Sequence, residues 1–160
     1  ELLMCIVGLL HTLVTTSTHP KVREGLFAAD ETVETLFAVA TQNCNDQRLA
    51  TQLLWLFQEL SGAKKQHHLI VMADMGLAEA LANVVSQNRG DLTLAQRACI
   101  TLANVSEFQE AAVLLQDDAA VELVIQLMED WPTSDEVQEN GAAFLGNLAV
   151  KCWKDIHLFG

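Results

Sequence analysis

The chain contains no tyrosine, only two prolines and only eight glycines in 160 residues. A fold of many short strands needs a turn signal every few residues, so this scarcity argues against one. Leu, Ala, Gln and Glu instead supply abundant helix formers. Charged residues are also few, 19% against 51% hydrophobic, which is too apolar for a disordered chain. A single all-α domain spanning residues 1–160 is expected. Positive charge is scarcest of all: 9 basic residues face 21 acidic ones, for a net charge of -12, and no Lys or Arg occurs between Ala98 and Val150. Such a surface repels polyanions, so neither nucleic acid nor an anionic membrane is expected as a partner.

Long apolar runs are missing as well. The opening ELLMCIVGLLHTLVTT is shorter than the ~20 residues of a membrane span and has no basic flank, so it reads as a core helix. The four cysteines, Cys5, Cys44, Cys99 and Cys152, are too far apart in sequence for the close pairing of a zinc site and are expected to be small buried residues. Free thiols without a secretory leader point to the cytoplasm, or the nucleus. There is no glycine-rich phosphate loop, nucleophile elbow or HExxH. His67 and His68 are adjacent and point about 100° apart on a helix, so they cannot chelate one metal together. His11, His19 and His157 are isolated. No catalytic residue, metal site or cofactor is expected.

What the chain does have is clearest in Ser134 to Val150. Val137, Gly141, Leu145 and Leu148 recur at helical spacing as a core stripe, with Gly141 admitting a neighbouring helix. Glu136, Asn140, Ala143 and Asn147 form a second stripe about a quarter-turn away, polar with small gaps. Thr133 and Glu136 have capping-box spacing at its start. The basic-free interval around it holds Glu107, Glu110, Asp117, Asp118, Glu122, Glu129, Asp130, Asp135, Glu136 and Glu139, which reads either as a solvated acidic face or as a surface for a basic ligand.

The helix has relatives upstream. Val33, Leu77 and Val121 lie 44 residues apart in matching contexts, and Glu59-Leu60-Ser61, Asn104-Val105-Ser106 and Asn147-Leu148-Ala149 recur at 45 and 43 residues. Each period holds a short helix (Lys21–Ala29, Lys65–Met72, Gln109–Leu115), a middle helix (Thr32–Thr41, Leu77–Ser86, Ala120–Asp130), a polar loop (Gln42–Asp46, Gln87–Asp91, Trp131–Ser134) and a long third helix. The units span residues 17–62, 63–107 and 108–150, with 1–16 as the last helix of a preceding unit and 151–160 the start of a further one. No unit can cover its own apolar faces, so neighbours must stack, with Leu56, Leu60, Leu102, Val105, Leu145 and Leu148 filling the shared core.

This pattern resembles the armadillo repeat family, on IVMADMGLAEALANVV leading to LAQRACITLANVS and VLLQDDAAVELVIQLM leading to VQENGAAFLGNLAV. The resemblance implies a right-handed α-solenoid of three-helix repeats; HEAT-like helical pairs are the alternative. It implies protein binding in a concave groove lined by the third helices. Carried over residue by residue, the groove positions are Glu59, Asn104 and Asn147, with Trp55, Ile100 and Ala143 one turn earlier and Arg97, Glu136 and Asn140 on the same face. In peptide-binding members the Asn amides bond the backbone of an extended chain, and a Trp one turn earlier packs on its side chains. Glu59 departs from Asn, and a carboxylate only accepts hydrogen bonds; with Trp55 it suits a cation. Leu53 likewise stands where Ala98 and Gly141 are small. The partner implied is a protein or peptide, basic in character. A different class is a structural spacer or scaffold segment in a larger multidomain signalling protein, since the VQENG helix also resembles helices in armadillo arrays attached to large kinases.

Apolar Trp153, Ile156, Leu158 and Phe159 at one end and Leu2, Leu3, Ile6, Val7, Leu9 and Leu10 at the other lack the polar outer face of terminal repeats. The natural protein is expected to continue on both sides and the isolated segment either to self-associate end to end or to be marginally stable. Light scattering over a concentration series should show mass rising with concentration; a monomer at all concentrations that melts cooperatively at high temperature contradicts this.

Overall fold

A computed structural model describes residues 5–10, 12, 30–43, 45–63, 66–116 and 118–156 of the chain, with side chains omitted at 30–33, 41, 118 and 152–156. Among the described residues the protein is all-helical, with no strand. After a helical segment at residues 5–10 come α1 (Asp30–Gln42), α2 (Gln47–Gly62), α3 (Gln66–Asp74), α4 (Leu77–Gln87), α5 (Leu92–Ser106), α6 (Gln109–Leu114), α7 (Asp118–Asp130) and α8 (Asp135–Ile156). The short helix expected at Lys21–Ala29 lies outside the described residues.

The turns between helices follow side-chain chemistry that recurs along the chain. Asn43 and Asn88 donate from Nδ2 to the carbonyls of Val39 and Val84 (2.9 and 2.7 Å), closing α1 and α4. Asp46 Oδ1 then accepts from the Arg48 and Leu49 amides, and Asp91 Oδ1 from those of Thr93 and Leu94, opening α2 and α5. Each carboxylate satisfies two otherwise orphaned helix N–H groups and sits at the positive end of the helix dipole. The third such turn differs. Gln138 Nε2 reaches back to the Met128 and Trp131 carbonyls, and Ser134 Oγ accepts from the Val137 amide. The cap is therefore Ser134 rather than Thr133, because α8 begins one residue later than a Thr133 cap requires.

Helices of like position pack on one another. α2 lies against α5 and α5 against α8; α1 lies against α4 and α4 against α7; α3 lies against α6. The core between these columns is continuous, from Leu36, Phe37, Leu53 and Phe57 through Leu69, Met72, Leu81, Leu94 and Leu102 to Val124, Val137 and Phe144, all buried. Phe37 and Phe57 meet with ring centroids 4.8 Å apart. Each fully buried large side chain contributes roughly 1.5–3 kcal/mol. No single described helix is long and apolar enough to cross a membrane. The most apolar pair, α3 and α4, is bent by 66°, and Leu69, Met72, Leu77, Leu81 and Val84 within it are core residues. Gly76, between them, has φ +80°, a left-handed conformation that favours glycine.

Three details differ from the sequence reading. On α8 the buried stripe is Val137, Gly141, Phe144 and Leu148, with Leu145 only half-buried: Leu145 falls about 80° from Val137 around the helix, whereas Phe144 falls about 20° away. Second, α8 runs unbroken past Val150 to Ile156. Ser61 and Ser106 bond the carbonyls of Gln58 and Ala103 in the last turns of α2 and α5; Ala149, at the matching place, has no hydroxyl to do so. Third, Cys5 is exposed, since Val7 is the residue its helical segment buries. His68 is buried while its neighbour His67 is exposed, in line with side chains about 100° apart on the helix. Cys99 is buried as expected.

Two glycines of α8 should respond oppositely to substitution. A Cβ on Gly141 would meet Met128 Sδ at 2.6 Å and Val124 Cγ1 at 3.3 Å, whereas one on Gly146 would meet nothing within 4 Å. Gly141→Leu should therefore destabilise by about 1–3 kcal/mol through overpacking. Gly146→Ala should stabilise by about 0.5–1 kcal/mol through helix propensity. Urea unfolding of both variants checks this, and equal effects would contradict the assigned packing of α8 on α7.

Burial also pushes the Cys99 thiol up to about 12. The folded state therefore favours the neutral thiol, a stabilisation fully present below pH 9 and lost as pH rises from 9 toward 12. Unfolding free energies of wild type and Cys99→Ala should diverge in this window by up to about 1.4 kcal/mol per pH unit, the wild type falling faster. Parallel curves would show that the thiol ionises without penalty.

Candidate protein-binding face

The column α2–α5–α8 carries most of the sequence-predicted site residues, and its helices are bonded to one another by side chains. Near the middle, Arg97 Nη1 donates to Gln58 Oε1 across α2 and α5 at 2.8 Å. Burial lowers the pKa of Arg97, and the Glu136 carboxylate on α8 raises it against that trend. Gln58, Arg97 and Glu136 thus form a diagonal across three helices, each 39 residues from the next.

Toward the helix C-termini the bonds run through asparagine and serine. Asn104 Nδ2 donates to Ser61 Oγ at 3.1 Å. One step along, Asn147 Nδ2 donates to Ser106 Oγ at 3.1 Å and to the Ala103 carbonyl at 3.4 Å. Both serines are fully buried. The Lys151 ammonium on α8 bonds the Ser106 carbonyl at 2.6 Å, and Gln109 Nε2 donates to the Lys151 carbonyl. A cation at the negative end of α5 complements its dipole and satisfies an open carbonyl. Burial lowers the Lys151 pKa, with Glu107 opposing the shift.

The structure therefore sets Glu136 within electrostatic reach of Arg97 and ties Asn104 and Asn147 each to a serine of the neighbouring helix. Asn140 stands beside them, its Nδ2 on the Glu136 carbonyl of its own helix; Ala143 is exposed and Ile100 half-buried. Trp55 is half-buried against the core and Glu59 half-buried on the same helix. Sequence reasoning missed Gln58, Ser61, Ser106 and Lys151. The serines did leave a signal, since both stand two residues after the groove position at the end of a third helix. Asn104-Val105-Ser106 also matches the Asn-x-Ser glycosylation signature, but its Asn is half-buried and bonded to Ser61 of the neighbouring helix.

A separate cleft of about 370 Å³ lies between α4 and α7, floored by Val85, Leu123 and Leu127 and rimmed by Arg89, Glu122 and Asp130. None of the predicted site residues lines it. Among the described residues no group of three or more His, Cys, Asp or Glu side chains is placed to hold a metal ion. Comparison of the chain with models of known protein families, with curated proteins and with solved structures finds no match.

The Ser106–Asn147 pair should be energetically coupled. A double-mutant cycle with Ser106→Ala and Asn147→Ala is expected to give a coupling of about 0.5–1.5 kcal/mol in unfolding free energy. Additive effects would mean that the bond does not hold α5 to α8.

Proposed function

We propose that the chain is an armadillo-like right-handed α-solenoid segment whose α2–α5–α8 face is the concave groove and binds an extended peptide or protein segment of basic character. The observation that carries this reading is the register of the column. Side-chain bonds link it at separations of 39 to 45 residues, close to the sequence period. Glu136, Asn140 and Ala143 remain on one accessible strip beside the tied residues. Acidic charge supplies attraction and orientation. Trp55 and Glu59 on α2 extend the strip toward a site for a cationic side chain. Two amide contacts of about 0.5–1.5 kcal/mol each cannot supply the roughly 8 kcal/mol of a micromolar complex, so charge must carry much of the affinity.

A second reading is favoured by the Asn–Ser bonds themselves. Asn104 and Asn147 join neighbouring helices, as they would in a structural spacer that binds nothing on this face and orders other domains.

Fluorescence anisotropy with labelled octalysine, and octaglutamate as control, separates the two. Groove binding is expected for octalysine only, weakening strongly as the Debye length falls from about 10 Å at 0.1 M salt to about 3 Å at 1 M. Glu136→Lys should weaken it further. Absence of binding, or binding indifferent to salt and to Glu136→Lys, would favour the spacer.

A further inference from the structure

The amide groups on the α2–α5–α8 face have a fixed orientation, and elementary hydrogen-bond chemistry sets it. A serine hydroxyl has one proton. Ser61 donates its proton to the Gln58 carbonyl at 2.8 Å, and Ser106 donates its own to the Ala103 carbonyl at 2.9 Å. Each Oγ can therefore only accept from the asparagine beside it, so the amide edge turned toward it must be the NH2 group. For Asn147 the constraint is doubled, because the same nitrogen also faces the Ala103 carbonyl, which is only an acceptor. Asn140 obeys the same logic with its NH2 on the Glu136 carbonyl. In all three the carbonyl oxygen, Oδ1, is the edge left over, and it accepts no hydrogen bond from a described side chain.

We infer that Ser61 and Ser106 act as positioning residues that lock Asn104 and Asn147 with their carbonyl oxygens outward, making this face selective for ligands that present N–H donors. The inference rests on the binding reading of the same face and narrows it. A freely rotating asparagine can read both the N–H and the C=O of a peptide backbone; one held with both its own N–H groups committed reads the N–H alone. Asn147 has both N–H bonds committed within the protein, and Asn104 and Asn140 have one each. Glu136 adds an ionised carboxylate, which accepts only. The strip thus matches main-chain N–H groups, ammonium and guanidinium, and its asparagines offer a ligand carbonyl only the second N–H of Asn104 and of Asn140. The class of ligand is an extended basic chain bound through its donors, with its carbonyls turned to solvent.

Two measurements test this. The first needs no ligand: in ¹⁵N-labelled protein the side-chain NH2 protons of Asn104 and Asn147 should exchange more slowly than those of exposed Asn83. That protection should weaken at Asn104 in Ser61→Ala and at Asn147 in Ser106→Ala. Unprotected NH2 protons in the wild type overturn the lock, whatever the alanine variants do. The second compares labelled octalysine with two analogues in which alternate main-chain amides are replaced by esters, one for each register; an ester keeps the carbonyl and loses the N–H. At least one analogue should bind about two- to tenfold more weakly per lost contact, and the penalty should shrink in Ser61→Ala/Ser106→Ala, where the Asn104 amide can turn and Asn147 keeps only the Ala103 carbonyl. Equal binding of all three probes, or an unchanged penalty in the double variant, overturns the selectivity and leaves the binding reading standing. No binding of any probe overturns both.

Discussion

Everything in this structure depends on one constraint: short amphipathic helices that are apolar on more than one side must find neighbours able to cover them. The chain meets it by placing helices of like position against one another, so the core runs continuously from the Phe37–Phe57 contact to Phe144. Apolar packing alone permits sliding, because leucine-rich ridges fit their neighbours at several offsets. Directional bonds remove that freedom. The Gln58–Arg97, Ser61–Asn104 and Ser106–Asn147 pairs each require one offset, and Asp91 extends the principle by capping α5 with one oxygen while accepting from Gln47 with the other. Residues that resemble a ligand-reading ladder are thus also the register pins of the stack.

This dual use shapes the functional account. Buried, unpaired polar groups are costly, so Ser61 and Ser106 at zero exposure must be satisfied locally, and the asparagines do so with the nitrogen edge. The oxygen edge is left over, on the same column as Glu136, which lies about three turns before Asn147 on α8. In the proposed reading, basic ligand preference and register are two results of one arrangement. The α4–α7 cleft is chemically different: its floor is aliphatic and its rim carries both signs of charge, with no comparable set of oriented amides.

Much of the fold was legible because the signals were local. Helix-forming composition and the 44-residue recurrence gave α4 as Leu77–Ser86 against an observed Leu77–Gln87, and α6 to within a residue. Errors arose where the deciding partner lay elsewhere. The choice between Leu145 and Phe144 depends on how α8 rotates against α7. The choice between Thr133 and Ser134 as cap depends on Gln138 pulling the preceding turn back onto Met128. The strip was legible as residue types at matched spacing, which placed Arg97, Asn104, Glu136 and Asn147 on the helices of one column. It was not legible as a bonding pattern: an asparagine's orientation is set by a serine 41 or 43 residues away, and that pairing exists only once the helices have stacked.

The central claim is that the α2–α5–α8 column is a recognition surface as well as a structural spine. Backbone amide shift mapping of the labelled protein titrated with octalysine at low salt tests it most directly. The account predicts a contiguous set of perturbations around Gln58, Arg97, Glu136, Asn140 and Ala143, with α3, α6 and the α4–α7 cleft unaffected. Perturbations spread evenly over the acidic surface, or centred on Glu122 and Asp130 at the cleft, would contradict it.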